Sequence, residues 1–268
     1  MSNYPKIVYK YRDWKDKYHK RILSKNELFL TSPKEFNDPF DNGIPPDFSL
    51  LKTEQEATIY VDYMTKTLKD QLLKQGLSIE NAKKIALDKI LNQKQNLQKE
   101  SIKLTTEYQN DFWGILSLSS IWNNTLMWSH YANKHSGFCV GFNEEKLRLS
   151  KLFGAGGRVN YERKYPRIHP MLQEPDYGII STHTKAKDWK YEKEYRLTKI
   201  FYPNIPSKLE RKVIIDNSFY EEVIIGVNFP KNAINDIRNE CMKKNIPLYQ
   251  ATMIPMKFEL SRNPIYFM

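Results

Sequence analysis

Short runs of β-branched and aromatic residues occupy both ends of the chain, and apolar positions recur at helical spacing mainly in between. The run Ile7-Val8-Tyr9-Lys10-Tyr11-Arg12 predicts a strand. A short helix is expected from about Trp14 to Leu23, then a strand Glu27–Thr31 that stops at Ser32-Pro33. Phe36-Asn37-Asp38-Pro39-Phe40-Asp41-Asn42-Gly43 sets turn-forming residues between two phenylalanines, which specifies a structured loop. From about Thr53 to Thr105, Ile59, Tyr63, Leu68 and Leu72, then Ile85, Leu87, Ile90 and Leu91, stand among Lys, Gln and Glu. That spacing predicts two or three amphipathic helices. Gly76 breaks the stretch and Ser78 reopens it. No sustained heptad is present, which argues against a coiled coil.

Strand character returns over Phe112–Ser119, with a helix expected over Thr125–Ala132 and a strand over Gly137–Phe142. Gly154-Ala155-Gly156-Gly157 reads as a turn; no Gly-Lys-Ser/Thr follows it, so it is no phosphate loop. A strand Arg158–Tyr161 and a Pro-containing loop from Pro166 to Pro175 come next. Lys187 to Leu197 reads as a helical turn entering a strand. The last third has a βαβ pattern, with strands at Arg211–Ile215, Glu222–Val227 and Pro247–Ala251 and a helix between Asn232 and Asn245. No internal repeat is visible. The pattern predicts one α+β domain over residues 1–268, a central, mainly antiparallel sheet flanked by helices, with an inserted helical lobe at about 50–108.

With 268 residues, 40% of them hydrophobic and 27% charged, the chain has the apolar surface that a folded protein needs. Lys and Arg number 42 against 31 Asp and Glu, a net charge of +11. Such an excess attracts nucleic acid or a phosphate-rich small molecule; a Lys-rich composition also serves solubility alone. Cys139 and Cys241 are far apart and form no Cys-x-x-Cys pair. Met1-Ser2-Asn3-Tyr4-Pro5 lacks the apolar region of a secretory signal, and no apolar run reaches membrane-spanning length. The expectation is a cytoplasmic protein with no membrane partner.

Four phrases stand out. They are Tyr9-Lys10-Tyr11-Arg12, Asn37-Asp38-Pro39-Phe40-Asp41, Met127-Trp128-Ser129-His130-Tyr131-Ala132 with Gly137-Phe138-Cys139, and Trp189-Lys190-Tyr191-Glu192-Lys193-Glu194-Tyr195-Arg196. In this order they resemble the bacterial domain-of-unknown-function family numbered 2971, over most of the chain outside the helical stretch. That family carries no established reaction. More remotely, Tyr11-Arg12, Arg21-Ile22-Leu23, Ser119 with Tyr131, and Glu194 resemble the series of elements in ADP-ribosyltransferases of the DNA-modifying toxin type. This second resemblance implies NAD as a bound substrate. A carboxylate would stabilise positive charge developing at the ribose and take the acceptor's proton. A tyrosine would stack on nicotinamide and an arginine would pair with the diphosphate.

The resulting candidates are Glu194, His130 and Tyr131 for catalysis, and Tyr9, Tyr11, Arg12, Ser119 and Arg196 for holding NAD, with no metal. Each has a plainer reading. Glu192, Glu194 and Arg196 alternate, so a strand would set them on one face as a catalytic group or as a structural ion pair. His130 is a general base or a hydrogen-bonded, partly buried histidine. It lies five residues from His135, a spacing that does not place two metal ligands on one helical face. Asn37, Asp38 and Asp41 are ligands for a divalent cation or caps of a turn. Arg12 is an anion clamp or part of a solvated strand edge. The leading expectation is an NAD-using, ADP-ribosyltransferase-like toxin or antiphage effector acting on nucleic acid or protein. The alternatives are a nucleic-acid-binding protein or metal-dependent nuclease, and a non-catalytic protein that docks a partner through the helical lobe. Convergence of Tyr11, His130 and Glu194 on one cleft separates the first from the others.

Overall fold

The computed structural model describes residues 4–172 and 175–266. The expectation at Met1–Asn3 and the centre of the Pro166–Pro175 loop lie outside them. The chain runs β1 (Ile7–Arg12), α1 (Arg21–Ser24) and β2 (Glu27–Phe29), then four helices, α2 (Glu54–Thr67), α3 (Lys69–Lys74), α4 (Ile79–Asn92) and α5 (Lys94–Phe112). It continues through β3 (Trp113–Ser119), α6 (Thr125–Tyr131), β4 (Phe138–Asn143), α7 (Glu144–Leu149), β5 (Ala155–Arg158) and β6 (Asn160–Glu162). Next come α8 (Asp176–Thr182), β7 (Thr184–Ala186), a 3₁₀ turn (Lys187–Glu192) and β8 (Glu194–Ile200). The last elements are β9 (Lys212–Ile214), β10 (Tyr220–Ile225), α9 (Ile234–Lys244), β11 (Leu248–Met253) and β12 (Leu260–Ile265).

Eight strands form the main sheet in the order β12-β11-β10-β4-β1-β3-β8-β5. Every pairing in it is antiparallel except β10 with β11, the two strands joined by α9. This is the expected βαβ unit. The two-residue period of the strands sorts the core onto two faces. Val8, Phe138, Val140, Phe142, Val223 and Ile225 face one side, where Ile22 and Leu23 of α1 and Ile237 and Cys241 of α9 pack. Tyr9, Tyr11, Cys139 and Ile224 face the other, under Met127 and Trp128 of α6.

The helices between Glu54 and Phe112 have a small core of their own, in which Phe48, Leu51, Ala57, Val61 and Ile90 meet. Thr53 and Glu56 close a capping box at the start of α2, and Ser78 accepts from the Asn81 N–H to start α4. The buried Gln109 is among the links between this lobe and the rest. Gln109 of α5 accepts from the Gly43 N–H at 2.7 Å and donates to Ser181 Oγ of α8 at 2.7 Å.

The sheet is split near its middle. β1 has six register partners on β4, and β3 has seven on β8. Between β1 and β3 the register holds only at Tyr9 and Ser119. The two strands then part over Lys10–Arg12 and Ser117–Leu118. Lys10 Nζ reaches across the gap and donates to the Ser117 carbonyl at 2.5 Å.

Several boundaries differ from expectation. Between Trp14 and Lys20 the chain forms turns, and helix is confined to Arg21–Ser24. Gly154–Gly157 is no turn: Ala155–Arg158 pairs along β8 as the sheet edge. Glu144–Leu149 is a helix capped by Asn143. Glu192 lies in the 3₁₀ turn rather than in a strand with Glu194.

Candidate functional site

A cavity of about 620 Å³ opens where β1 and β3 part. Of the eight residues singled out from the sequence, seven line it: Tyr9, Tyr11, Arg12, Ser119, His130, Tyr131 and Glu194. Arg196, 0% exposed, is held directly behind Glu194. The loop after β2 adds Phe36, Asn37 and Asp41, and the 3₁₀ turn adds Trp189, Tyr191 and Glu192.

Three carboxylates and two cations form the floor. Arg196 Nε donates to Glu194 Oε1 at 2.7 Å, and its Nη2 donates to Glu194 Oε2 at 2.9 Å and Asp41 Oδ2 at 2.6 Å. Its Nη1 donates to the Thr182 carbonyl at 2.7 Å. Lys185 Nζ lies 2.7 Å from Glu192 Oε2, and 3.3 Å from both Asp41 Oδ2 and Glu194 Oε2. All five side chains are buried. Burial on this scale requires opposite charges in contact, because desolvation costs each ion several kcal/mol, to order of magnitude.

The two glutamates are shifted in opposite directions. Burial opposes the charge of Glu194, but Arg196 and Lys185 outweigh it and hold the carboxyl down at about 2. Burial raises Glu192 above the ordinary glutamate value, and Lys185 offsets this only in part. Tyr131 donates to Glu192 Oε1 at 2.6 Å, and burial next to that carboxylate raises the phenol pKa. The chain turns at Lys193, φ +46°, so both glutamates meet the same ammonium from different elements.

β1 brings two further cations. Burial, with repulsion from Arg12, holds Lys10 well below the usual lysine value. Burial lowers Arg12 to about 10, with Asp16 as the opposing charge. Among the described residues no hydrogen bond or ion pair engages the Arg12 guanidinium.

Other candidates serve as walls. Tyr9 donates to Glu222 at 2.9 Å and Tyr11 to the Ile121 carbonyl at 2.9 Å, both hydroxyls turned away from the floor. Ser119 Oγ donates to the Glu192 carbonyl at 2.7 Å and so fixes the 3₁₀ turn. His130 is exposed at the mouth, its ring 6.2 Å from that of Tyr191 and 6.3 Å from that of Tyr131. His135 instead stacks on Trp128 at 6.2 Å. Of the acidic loop, Asp38 accepts from the Phe40 N–H at 2.9 Å, a turn cap. Asp41 is engaged by Arg196 and Lys185.

Sequence reasoning misses Lys10, Lys185 and Tyr191 as site residues. Lys10 is within reach of a pattern argument, since it shares a strand face with Arg12. Lys185 carries no local signal; only the tertiary fold brings it to the carboxylates.

Fold and cavity together define an α+β protein with a split sheet, a floor of paired charges and aromatic walls. Residues 127–197 match the model of a family described as a protein of unknown function, DUF2971. That segment supplies His130, Tyr131, Lys185, Glu192, Glu194 and Arg196, whereas the lining from β1, β3 and the loop after β2, Asp41 included, lies outside it. No curated protein and no solved structure matches the chain.

Proposed function

We propose that the cavity binds NAD and that the protein is an ADP-ribosyltransferase-like enzyme. The observation that carries this reading is the convergence of Tyr11, His130 and Glu194 on one cavity. A volume of about 620 Å³ suits a nucleotide-sized ligand. Arg12 and Lys10 offer cationic donors for a diphosphate. The rings of Tyr131, Tyr191 and Trp189 offer flat apolar faces for a heterocycle. Glu192 and Glu194 offer carboxylates to a sugar bound in the cavity.

In the reaction, the bond from ribose C1′ to the nicotinamide nitrogen breaks and a bond from C1′ to an acceptor heteroatom forms. Nicotinamide leaves with the bonding electron pair, and the acceptor loses a proton. Glu194, kept ionised by Arg196 and Lys185, supplies fixed negative charge. Glu192, raised by burial and bonded to Tyr131, is the group suited to take the proton.

Titration of the purified protein with NAD tests the reading through thermal stability and nicotinamide release. A melting temperature that climbs with the logarithm of NAD concentration is expected, as ligand linkage requires. Nicotinamide release should fall at least 100-fold in Glu192→Gln and in Glu194→Gln, of the order seen for general acid–base groups. No shift at millimolar NAD, or full release in both variants, overturns it.

A further inference from the structure

We infer that this chain pairs with a second copy of itself through an apolar surface made by α5 and the loop between β8 and β9, at the end of those strands away from the cavity.

The loop is held at both ends. The Phe201 N–H donates to the Phe112 carbonyl at 2.8 Å, and Arg211 Nη1 donates to the Trp113 carbonyl at 2.7 Å. Between these anchors the loop turns apolar side chains outward. Tyr202, Ile205 and Leu209, with Leu104 and Tyr108 of α5, are between 40% and 73% exposed. Leu104 and Tyr108 are four residues apart on α5 and so share a face. The Tyr202 ring continues that stripe, 6.1 Å from the Tyr108 ring and 5.4 Å from that of Phe112. Single exposed apolar residues are ordinary, but a group of them gathered on an anchored framework marks an interaction surface.

Charge on the two rims selects a second copy as the occupant. Tyr202 lies against Tyr108 and Phe112, and Glu107 is about 100° round the helix from the first and about 140° from the second, on the side away from the loop. Glu107 is exposed, and its contact with Lys103 is loose, at 3.9 Å. On the loop, exposed Lys208 precedes Leu209, while the Glu210 carboxylate accepts from the Ser207 N–H at 2.8 Å within the loop itself. The surface thus has an apolar centre, an anion at one rim and a cation at the other. A two-fold axis through the centre exchanges the rims, so that Lys208 of each protomer meets Glu107 of the partner subunit while the apolar side chains meet one another. An anionic lipid surface would attract one rim and repel the other. Trp113 pairs with Ile200 at this end of β3 and β8, and Ser119 pairs with Glu194 at the cavity end. About 20 Å of strand separates the two ends, so the pairing leaves the cavity mouth open and does not depend on what the cavity binds.

Sedimentation velocity of the full chain over a range of concentrations tests this. A reversible monomer–dimer equilibrium is expected, with the dimer gaining as concentration rises. Leu209→Ser removes an exposed side chain from the apolar centre and should weaken the dimer by about tenfold or more, with the circular dichroism of the chain unchanged. Lys208→Glu and Glu107→Lys should each weaken it by about tenfold or more, because each sets like charges opposite one another twice per dimer. The two changes together restore opposite charges and should recover most of the parent's affinity, a rescue that a foreign partner of this surface would not give. The NAD-induced thermal shift should persist in all four variants. A chain that is monomeric at every concentration, including one that floats with anionic vesicles instead, overturns the pairing. So does a dimer that Leu209→Ser leaves intact, or a double charge variant as weak as the single ones. A dimer that shows no NAD shift keeps the pairing and removes the transferase reading; an NAD shift in a strict monomer does the reverse.

Discussion

Arg196 is a guanidinium with no exposure to water, and it stays in the core because Asp41 and Glu194 accept three of its hydrogen bonds. Removing one side of such a cluster strands the other. Arg196→Met is expected to destabilise the protein by about 3–5 kcal/mol in urea denaturation, since two buried carboxylates are left with Lys185 alone. A loss below about 1 kcal/mol would mean that the cluster contributes little. The acid limb of stability follows from the same interactions. Glu194 titrates at about 2 when folded, against 4.5 as its ordinary value, so below pH 4.5 the unfolded chain binds the extra proton. Its contribution is complete above pH 4.5 and disappears as the pH falls towards 2. Glu192 has the opposite sign: raised in the fold, it favours folding below 4.5 and loses that contribution as the pH rises. Glu194→Gln should therefore flatten the rise of stability from pH 2 to 4.5, and Glu192→Gln should steepen the net rise through pH 4.5 and above. Equal effects in a pH series of denaturation curves would contradict the assignment. Of this cluster, alternation along the chain disclosed Glu194 and Arg196. It could not disclose that Asp41, 155 positions earlier, completes the site, because only tertiary approach joins them.

At the scale of elements, the strands were legible because burial on two faces imposes a two-residue period, and the lobe because its helices recur at 3.6. The misreadings have local causes. Between Trp14 and Lys20, Asp13 and Asp16 accept from the N–H groups of Lys15 and Tyr18, and such side-chain bonds compete with helix. The glycines before Arg158 suggest a turn, yet a sheet edge tolerates them, and a larger residue at Gly156 would displace the Leu197 side chain. A Cβ there would lie 2.5 Å from Leu197 Cδ2. Gly137 is under tighter constraint. A Cβ on it would stand 2.1 Å from the Arg12 carbonyl oxygen and 2.9 Å from that of Ala132, both backbone atoms that cannot rotate away. Gly137→Ala should separate β4 from the end of β1 and cost at least ~2 kcal/mol. Gly76→Ala is the control. It has open space around it, and its φ of +73° alone should cost about 1 kcal/mol. Thermal denaturation of both variants checks the order, and equal losses would refute the steric account. Gln109→Leu tests the link between lobe and sheet. It leaves the Gly43 N–H without its acceptor and should cost about 1–3 kcal/mol. Less than about 0.5 kcal/mol would mean that the lobe is held by other interactions.

The whole molecule is organised around a sheet that does not close. A continuous ladder from β4 to β8 would have been more stable, yet the partnership of β1 with β3 ends after one register pair, and two cations occupy the opening. Consistency across levels is what makes a fold stable, and departures from it concentrate where a molecule binds. No sequence pattern revealed this split. β1 and β3 each read as ordinary strands, and the elements that line the opening, the 3₁₀ turn and the Phe36–Asp41 loop, meet there through the pairing of Glu192 and Asp41 with Lys185. The opening predicts a trade-off at Arg12. Its guanidinium lies where burial disfavours the charge, holding its pKa at about 10, and Asp16 is the opposing charge. If that cation is there for a ligand, the empty protein should be better off without it. Arg12→Met is expected to raise the melting temperature of the free protein by about 2 °C, the equivalent of about 1 kcal/mol in a chain of this size. It should also reduce the NAD-induced shift by at least half. A lowered melting temperature with an unchanged NAD shift would make Arg12 a structural residue. The diphosphate would then have to be held by Lys10 alone, whose ammonium already donates to Ser117. A rise in stability coupled to a loss of binding is a result that structural necessity cannot produce, because a residue kept for the fold does not strengthen the fold when it is removed.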